Sequence, residues 1–327
     1  MSVRKIKRAL ALLLAVMFVI PTFVSITSCS QKSETFMTVG GFDVSYDMVR
    51  YFVMNYKTGY TEEELKDPEI LEQIEINALA SIKELYTYKA LCKKYNVKLS
   101  SDDKNAINTQ IKTLKKSYES TEAFEKDLAA NFVTEAVYKE IIEIETLCDK
   151  LYDRITENAT DDRFKSDTET IDADLRTDKW FAVEYMYLLF TEETKDSREE
   201  FMKSARADIA GGVIMSKLCE NNKAPYGDNL VYAIDECFTE SIYNETIENA
   251  VKKLKIGETS DVIEYNSGAW LIVRRIEISD EYVEENYDTI IAQYLSREFF
   301  NYVTEESEKL TVEIAEKFEN TPLSSIK

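Results

Sequence analysis

Apolar residues recur along this chain with two different periods, and the change of period divides it. From Glu69 to Ile155 the spacing is helical. Ile74, Ala78, Ile82, Leu85 and Cys92 follow one another at steps of three, four or seven, and Ile107, Ile111, Leu114 and Tyr118 repeat the pattern. A last stripe, Val137, Ile141, Ile144, Cys148, Leu151 and Ile155, alternates steps of four and three, but it is too short for a coiled coil. The breaks carry helix-end chemistry. Asn96–Ser100 interrupts the first helix, Ser101 and Asp102 open the next, and Ser120 precedes a short helix with Phe124 and Leu128. Asn131 stops that helix and Thr134 caps the last. Each helix has one apolar face, so these helices must pack on one another or on a bound chain.

Elsewhere the pattern is that of strands and turns. Phe36–Val44 reads as two short strands about Gly40-Gly41, and Ser45 caps a helix carrying Val49, Phe52 and Tyr56. Thr156–Asp178 is acidic and polar and reads as a linker. Trp180–Phe190 is an apolar strand. Ser197 then caps a helix with Phe201, Ala205 and Ile209, which Gly211-Gly212 interrupts, and Val213–Cys219 forms another short helix. A turn at Ala224–Asn229 leads to a helix ending at Leu254, a Gly257-Glu258 turn and a strand over Val262–Tyr265. A second turn at Asn266–Gly268 and an apolar strand over Ala269–Ile276 follow. Glu281–Phe318 is helical again. A β-containing unit bracketed by helical stretches predicts an α+β fold.

The N-terminus is a targeting segment rather than fold. Arg4, Lys5, Lys7 and Arg8 precede an apolar run from Ala9 to Val24, and Ile26-Thr27-Ser28-Cys29 follows. An apolar residue, two small ones and Cys resemble the lipobox of bacterial lipoproteins. That resemblance implies a signal peptide over 1–28, lipidation at Cys29 and a polar tether over 29–35. The mature chain would then sit on the outer face of the bacterial cytoplasmic membrane, held by lipid. Net charge is −21, and more negative without the four basic leader residues, so the surface repels nucleic acid and anionic headgroups.

The chain contains no His, which removes Ser-His-Asp and Cys-His nucleophiles, His-based zinc sites and any imidazole base. No phosphate loop or Gly-x-Gly-x-x-Gly is present, and Asp172-Ala173-Asp174 lacks the Gly and Glu of a calcium loop. Neither a cofactor nor a metal is expected. Cys92, Cys148, Cys219 and Cys237 show no Cys-x-x-Cys spacing; Cys92 and Cys148 fall on apolar helical faces, as buried thiols do.

Three stretches carry a family resemblance. Val39-Gly40-Gly41 before a helix looks like the opening of mature foldase lipoproteins of the PrsA and SurA type. The succession of a long helix, the Lys94–Asp103 loop, a helix, the short Glu122–Leu128 helix and the Thr134–Glu140 opening of a long one resembles the N-terminal chaperone module of SurA-like proteins. Helix, Gly257-Glu258 turn, strand, Gly268 turn, strand resembles the second half of a parvulin-type prolyl isomerase domain. The resemblance implies a discontinuous helical chaperone domain (36–158 and 280–320), a linker (159–177) and an inserted parvulin-like antiparallel-sheet domain (178–279). It also implies unfolded, newly secreted polypeptides as partners.

The resemblance places the two family His at Tyr187 and Trp270, with Glu220 near the family's Asp or Cys. Two bulky aromatics in those places would fill the floor of the pocket. The expected protein is a membrane-anchored folding factor whose parvulin-like domain is non-catalytic. The alternatives are an active prolyl isomerase with an altered site, and an envelope scaffold or solute-binding lipoprotein.

Overall fold

The computed structural model describes residues 34–157, 161–241, 243–266 and 268–327. The leader and Cys29 lie outside the described residues. The protein is α+β and divides into two compact units. One takes in the described residues up to Phe164 together with Asn301–Lys327, and the other is Lys165–Phe300.

In the helical unit, β1 (Thr35–Val39) and β2 (Phe42–Ser45) form a hairpin. Gly40 turns it at φ +57°, a backbone region that L side chains rarely adopt, and a Cβ there would press on the Leu310 side chain at 3.0 Å. Five helices follow: α1 (Tyr46–Lys57), α2 (Pro68–Lys94), α3 (Ser101–Lys116), α4 (Thr121–Ala130) and α5 (Glu135–Thr156). Their starts are capped by side chains. Ser45 Oγ accepts from Met48 N at 3.2 Å, Ser120 Oγ from Ala123 N at 3.1 Å and Thr134 Oγ1 from Val137 N at 3.3 Å. Helix α3 opens at Ser101 as expected, with Ser100 as its cap, and Asp103 reaches back to close a reciprocal capping box. The α2 and α5 stripes are buried throughout.

The chain's tail does not stay helical to Phe318. β7 (Val312–Ile314) pairs antiparallel with β1, Met37 opposite Ile314 and Val39 opposite Val312, giving the order β2-β1-β7. Tyr302 is buried in this unit against Phe164 and donates to, or accepts from, the Tyr95 hydroxyl at 2.9 Å.

In the sheet unit, the stretch expected as an acidic linker holds α6 (Thr168–Leu175), whose Ile171 is fully buried. Buried Ile171, partly buried Leu175 and an Asp167 cap suffice to fix a short helix that composition alone conceals. Next come β3 (Trp180–Leu189), α7 (Lys195–Ala210), α8 (Met215–Asn221) and β4 (Leu230–Thr239). The helix α7 starts earlier than Ser197, after Thr194. Then follow α9 (Glu245–Val251), β5 (Ile263–Tyr265) and β6 (Ala269–Ile276). The strands form one antiparallel sheet in the order β4-β3-β6-β5. Gly257 turns at φ +87° before β5, a backbone region that L side chains rarely adopt.

Helices α10 (Asp280–Glu285) and α11 (Tyr287–Glu308) follow β6. Residues 280–300, expected to complete the helical domain, instead pack in the sheet unit. Ile290 and Tyr294 are buried with Ile171, Trp180 and Cys237. A fully buried Arg297 fastens this corner. Its guanidinium donates to Thr239 Oγ1 at 2.7 Å, Asp174 Oδ2 at 2.7 Å and Glu298 Oε1 at 2.8 Å. Trp180 Nε1 donates to the same Asp174 oxygen at 2.7 Å. A buried charge persists only when paired and hydrogen-bonded in this way, so α6, β3, β4 and α11 are mutually dependent.

A tyrosine-lined sheet face as the candidate functional site

Side chains alternate across a strand, so the β3–β6 register decides which residues share a face. Leu188 lies opposite Trp270 and Tyr187 opposite Leu271. Tyr187 and Trp270 therefore point to opposite faces of the sheet. The two positions that the family resemblance pairs are not brought together, and they do not fill one pocket floor.

The Trp270 face is closed. Met186, Leu188, Leu230, Trp270 and Ile272 pack beneath α7 and α8 with Met202, Ala205, Ile209, Met215, Leu218 and Cys219. Trp270 Nε1 donates to the Lys195 carbonyl at 3.0 Å, and its ring packs 5.3 Å from Phe190. Both the apolar and the polar demand of the indole are thus satisfied. Glu220 stands exposed on α8, next to the buried Cys219 that packs in this layer.

The Tyr187 face is different. Its floor is Val183, Leu271 and Val273, covered at one end by Ile247, Ala250 and Val251 of α9 with Phe181 and Phe238. Packed against this cluster stand Tyr185, Tyr187, Tyr243 and Tyr265, all partly buried. Tyr187 is flanked by Tyr185 at 6.5 Å and Tyr265 at 6.4 Å between ring centroids. Tyr243 stacks on Phe238 at 3.9 Å and donates its hydroxyl to Asp235. Burial, and then the neighbouring Asp235 carboxylate, push the Tyr185 phenol up to about 12. It stays protonated as a hydrogen-bond donor at neutral pH.

This face offers aromatic area with hydroxyl tips above an apolar floor. Its carboxylate is already engaged by a tyrosine hydroxyl, which leaves it poorly placed to take a proton. Thiol chemistry is disfavoured too. Burial raises Cys92 to about 11 and Cys237 to about 12, and raises Cys148 and Cys219. Among the described residues, His, Cys, Asp and Glu form no group that could hold a metal ion. No described helix is long and apolar enough to cross a membrane. Sequence reading found Tyr187 but missed Tyr185, Tyr243, Tyr265 and Asp235. The step of two from Val183 to Tyr185 to Tyr187 was the available signal.

No protein-family model and no curated protein matches the chain. Several solved structures are similar to it. Foldase protein PrsA from Streptococcus pneumoniae is 17% identical over 73% of this chain and 86% of its own, with a TM-score of 0.36. PrsA from Bacillus subtilis is 22% identical over 74% of this chain and 85% of its own, with a TM-score of 0.26. A Campylobacter jejuni structure described under two SurA-like chaperones is 12% identical over 86% of this chain and 99% of its own, with a TM-score of 0.26. These solved structures, two PrsA foldases and one described under SurA-like chaperones, are among those to which the chain is similar.

Proposed function

We propose that the protein is a lipid-anchored, extracytoplasmic folding factor that holds unfolded secreted polypeptide. In this reading the discontinuous helical unit is the main holdase surface. The sheet unit grips extended chain on its tyrosine face without isomerising it. The single observation that carries the reading is the half-open row of Tyr185, Tyr187 and Tyr265 over an apolar floor, next to a carboxylate already taken by Tyr243.

Partly exposed aromatics bind apolar chain with little sequence demand and at low cost in side-chain entropy. Catalysis of prolyl rotation asks for more: the barrier of about 20 kcal/mol falls only if the site favours the twisted amide over the planar one. A face that offers only aromatic area to the chain would bind both forms of the amide alike. Anchoring at Cys29 rests on the lipobox-like Ile26–Cys29 sequence.

Light scattering of a denatured client diluted into the purified protein tests the holding activity. Suppressed aggregation at molar excess is expected, and an unchanged aggregation rate would remove the proposal. Metabolic labelling with a fatty-acid analogue tests the anchor: incorporation lost in Cys29→Ala is expected.

A further inference from the structure

The two edges of the four-stranded sheet differ. β5 is a three-residue strand ending in a turn, too short to template another chain. β4 is ten residues long, Leu-Val-Tyr-Ala-Ile-Asp-Glu-Cys-Phe-Thr, and contains no Pro, Gly, Lys or Arg to blunt it.

The hydrogen-bond phase tells which β4 groups face outward. Glu240 N donates to Lys179 O at 2.9 Å, and Phe190 N donates to Gly268 O at 2.9 Å. Odd-numbered β3 residues therefore bond toward β4 and even-numbered ones toward β6. With the register Val183 to Asp235, Tyr185 to Ala233 and Tyr187 to Val231, the outward-facing residues before the bulge are Tyr232 and Ile234. Beyond the bulge, the Gln293 amide already occupies the edge. Its Nε2 donates to Cys237 O at 3.3 Å and its Oε1 accepts from Thr239 N at 3.2 Å. One side chain thus stands in for a neighbouring strand over Cys237–Thr239. Among the described residues, no hydrogen bond from another element reaches the backbone of Tyr232 or Ile234. The Ile234 side chain is 47% exposed beside them.

Charge selects the occupant. From Asp228 to Ser241 the chain has Asp228, Asp235, Glu236 and Glu240 and no basic residue; Glu240 is paired with Lys252 at 3.2 Å, which leaves Asp228, Asp235 and Glu236 to set the sign along the edge. A second copy pairing edge to edge would bring these acids together, which like-charge repulsion opposes. An extended segment flanked by Lys or Arg would meet them favourably. We infer that the Leu230–Asp235 edge of β4 captures an unfolded, basic-flanked polypeptide segment as an added antiparallel or parallel strand. This deepens the holding function proposed above and rests on it.

The test uses the full chain in detergent and a fluorescent peptide of alternating valine and threonine with lysine at both ends, about the length of β4. Anisotropy should report binding, with amide-exchange protection appearing at Tyr232 and Ile234. N-methylation of alternate peptide amides should weaken binding roughly tenfold, as loss of one or two hydrogen bonds would. Replacing the lysines by glutamates should weaken it as well. Ile234→Pro removes an outward N–H while leaving the β3–β4 bonds in place, and should weaken binding similarly. Ile234→Lys provides a second variant that keeps every backbone donor yet discourages pairing. Equal binding of the peptide with and without N-methylation, with no protection at Tyr232 and Ile234, would overturn the inference. So would a dimer in sedimentation that dissociates on Ile234→Pro, which would assign the edge to a second copy. Loss of peptide binding in Ile234→Pro with client aggregation still suppressed would uphold the edge site and the holding function as separable. Peptide binding in a protein that fails to suppress aggregation would refute the holding function alone.

Discussion

The two faces of the four-stranded sheet use the same strands for different ends. On one face, α7 and α8 cover a continuous apolar layer, and Trp270 has both its ring and its N–H satisfied. On the other, α9 is only seven residues long and packs with Phe181, Val183 and Leu271, while the tyrosines around this cluster are only partly buried. The first face holds the unit together; the second leaves aromatic area available. The difference lies in the lengths and apolar faces of the covering helices, since the strands supply bulky residues to both sides.

The largest expected effect breaks the closed face. Trp270→Ala should destabilise the sheet unit by about 3–5 kcal/mol, the usual cost of emptying a buried aromatic site. Urea unfolding followed by tryptophan fluorescence reads this unit selectively. Both tryptophans of the chain, Trp180 and Trp270, lie within it, and Trp180 remains as reporter in the variant.

A smaller stability effect with a larger functional one is expected on the open face. The double replacement Tyr185→Ala and Tyr187→Ala should cost on the order of 1–2 kcal/mol, because both rings are only partly buried. Client holding should nevertheless fall several-fold in the light-scattering assay. Intact holding would show that the face takes no part in it.

Alkaline titration probes both faces at once and carries the smallest effect. Tyr185 on the open face and Tyr232 on the closed one are both raised to about 12, chiefly by burial. Between the ordinary phenol value of 10.0 and about 12, the folded state keeps protons that the unfolded state has lost. Stability should therefore fall as pH rises through that window and be insensitive to these groups below it. Urea midpoints measured across the window check the sign.

Local pattern revealed much of this fold. The α5 stripe from Val137 to Ile155 and the caps at Ser45, Ser120 and Thr134 follow from spacing and side-chain chemistry, and they stand where expected. The β6 strand, Ala269–Ile276, is an uninterrupted apolar run between turn signals and was equally readable. What escaped depends on distant partners. β7 is three residues whose only reason to be extended is β1, at the other end of the chain. α6 hides in an acidic segment because its stability comes from Ile171 and from Asp174 meeting Arg297. The candidate site was half legible. Tyr187 was visible as a position, but its separation from Trp270 depends on cross-strand register, which no single stretch of sequence encodes.

The central claim is that the tyrosine face grips polypeptide without turning over its proline bonds. A protease-coupled isomerisation assay on a proline tetrapeptide, run with increasing protein, tests it most directly. The account predicts a rate that stays at the uncatalysed value at every concentration. A rate rising in proportion to protein and abolished by Tyr187→Ala would contradict it and make this face an active site.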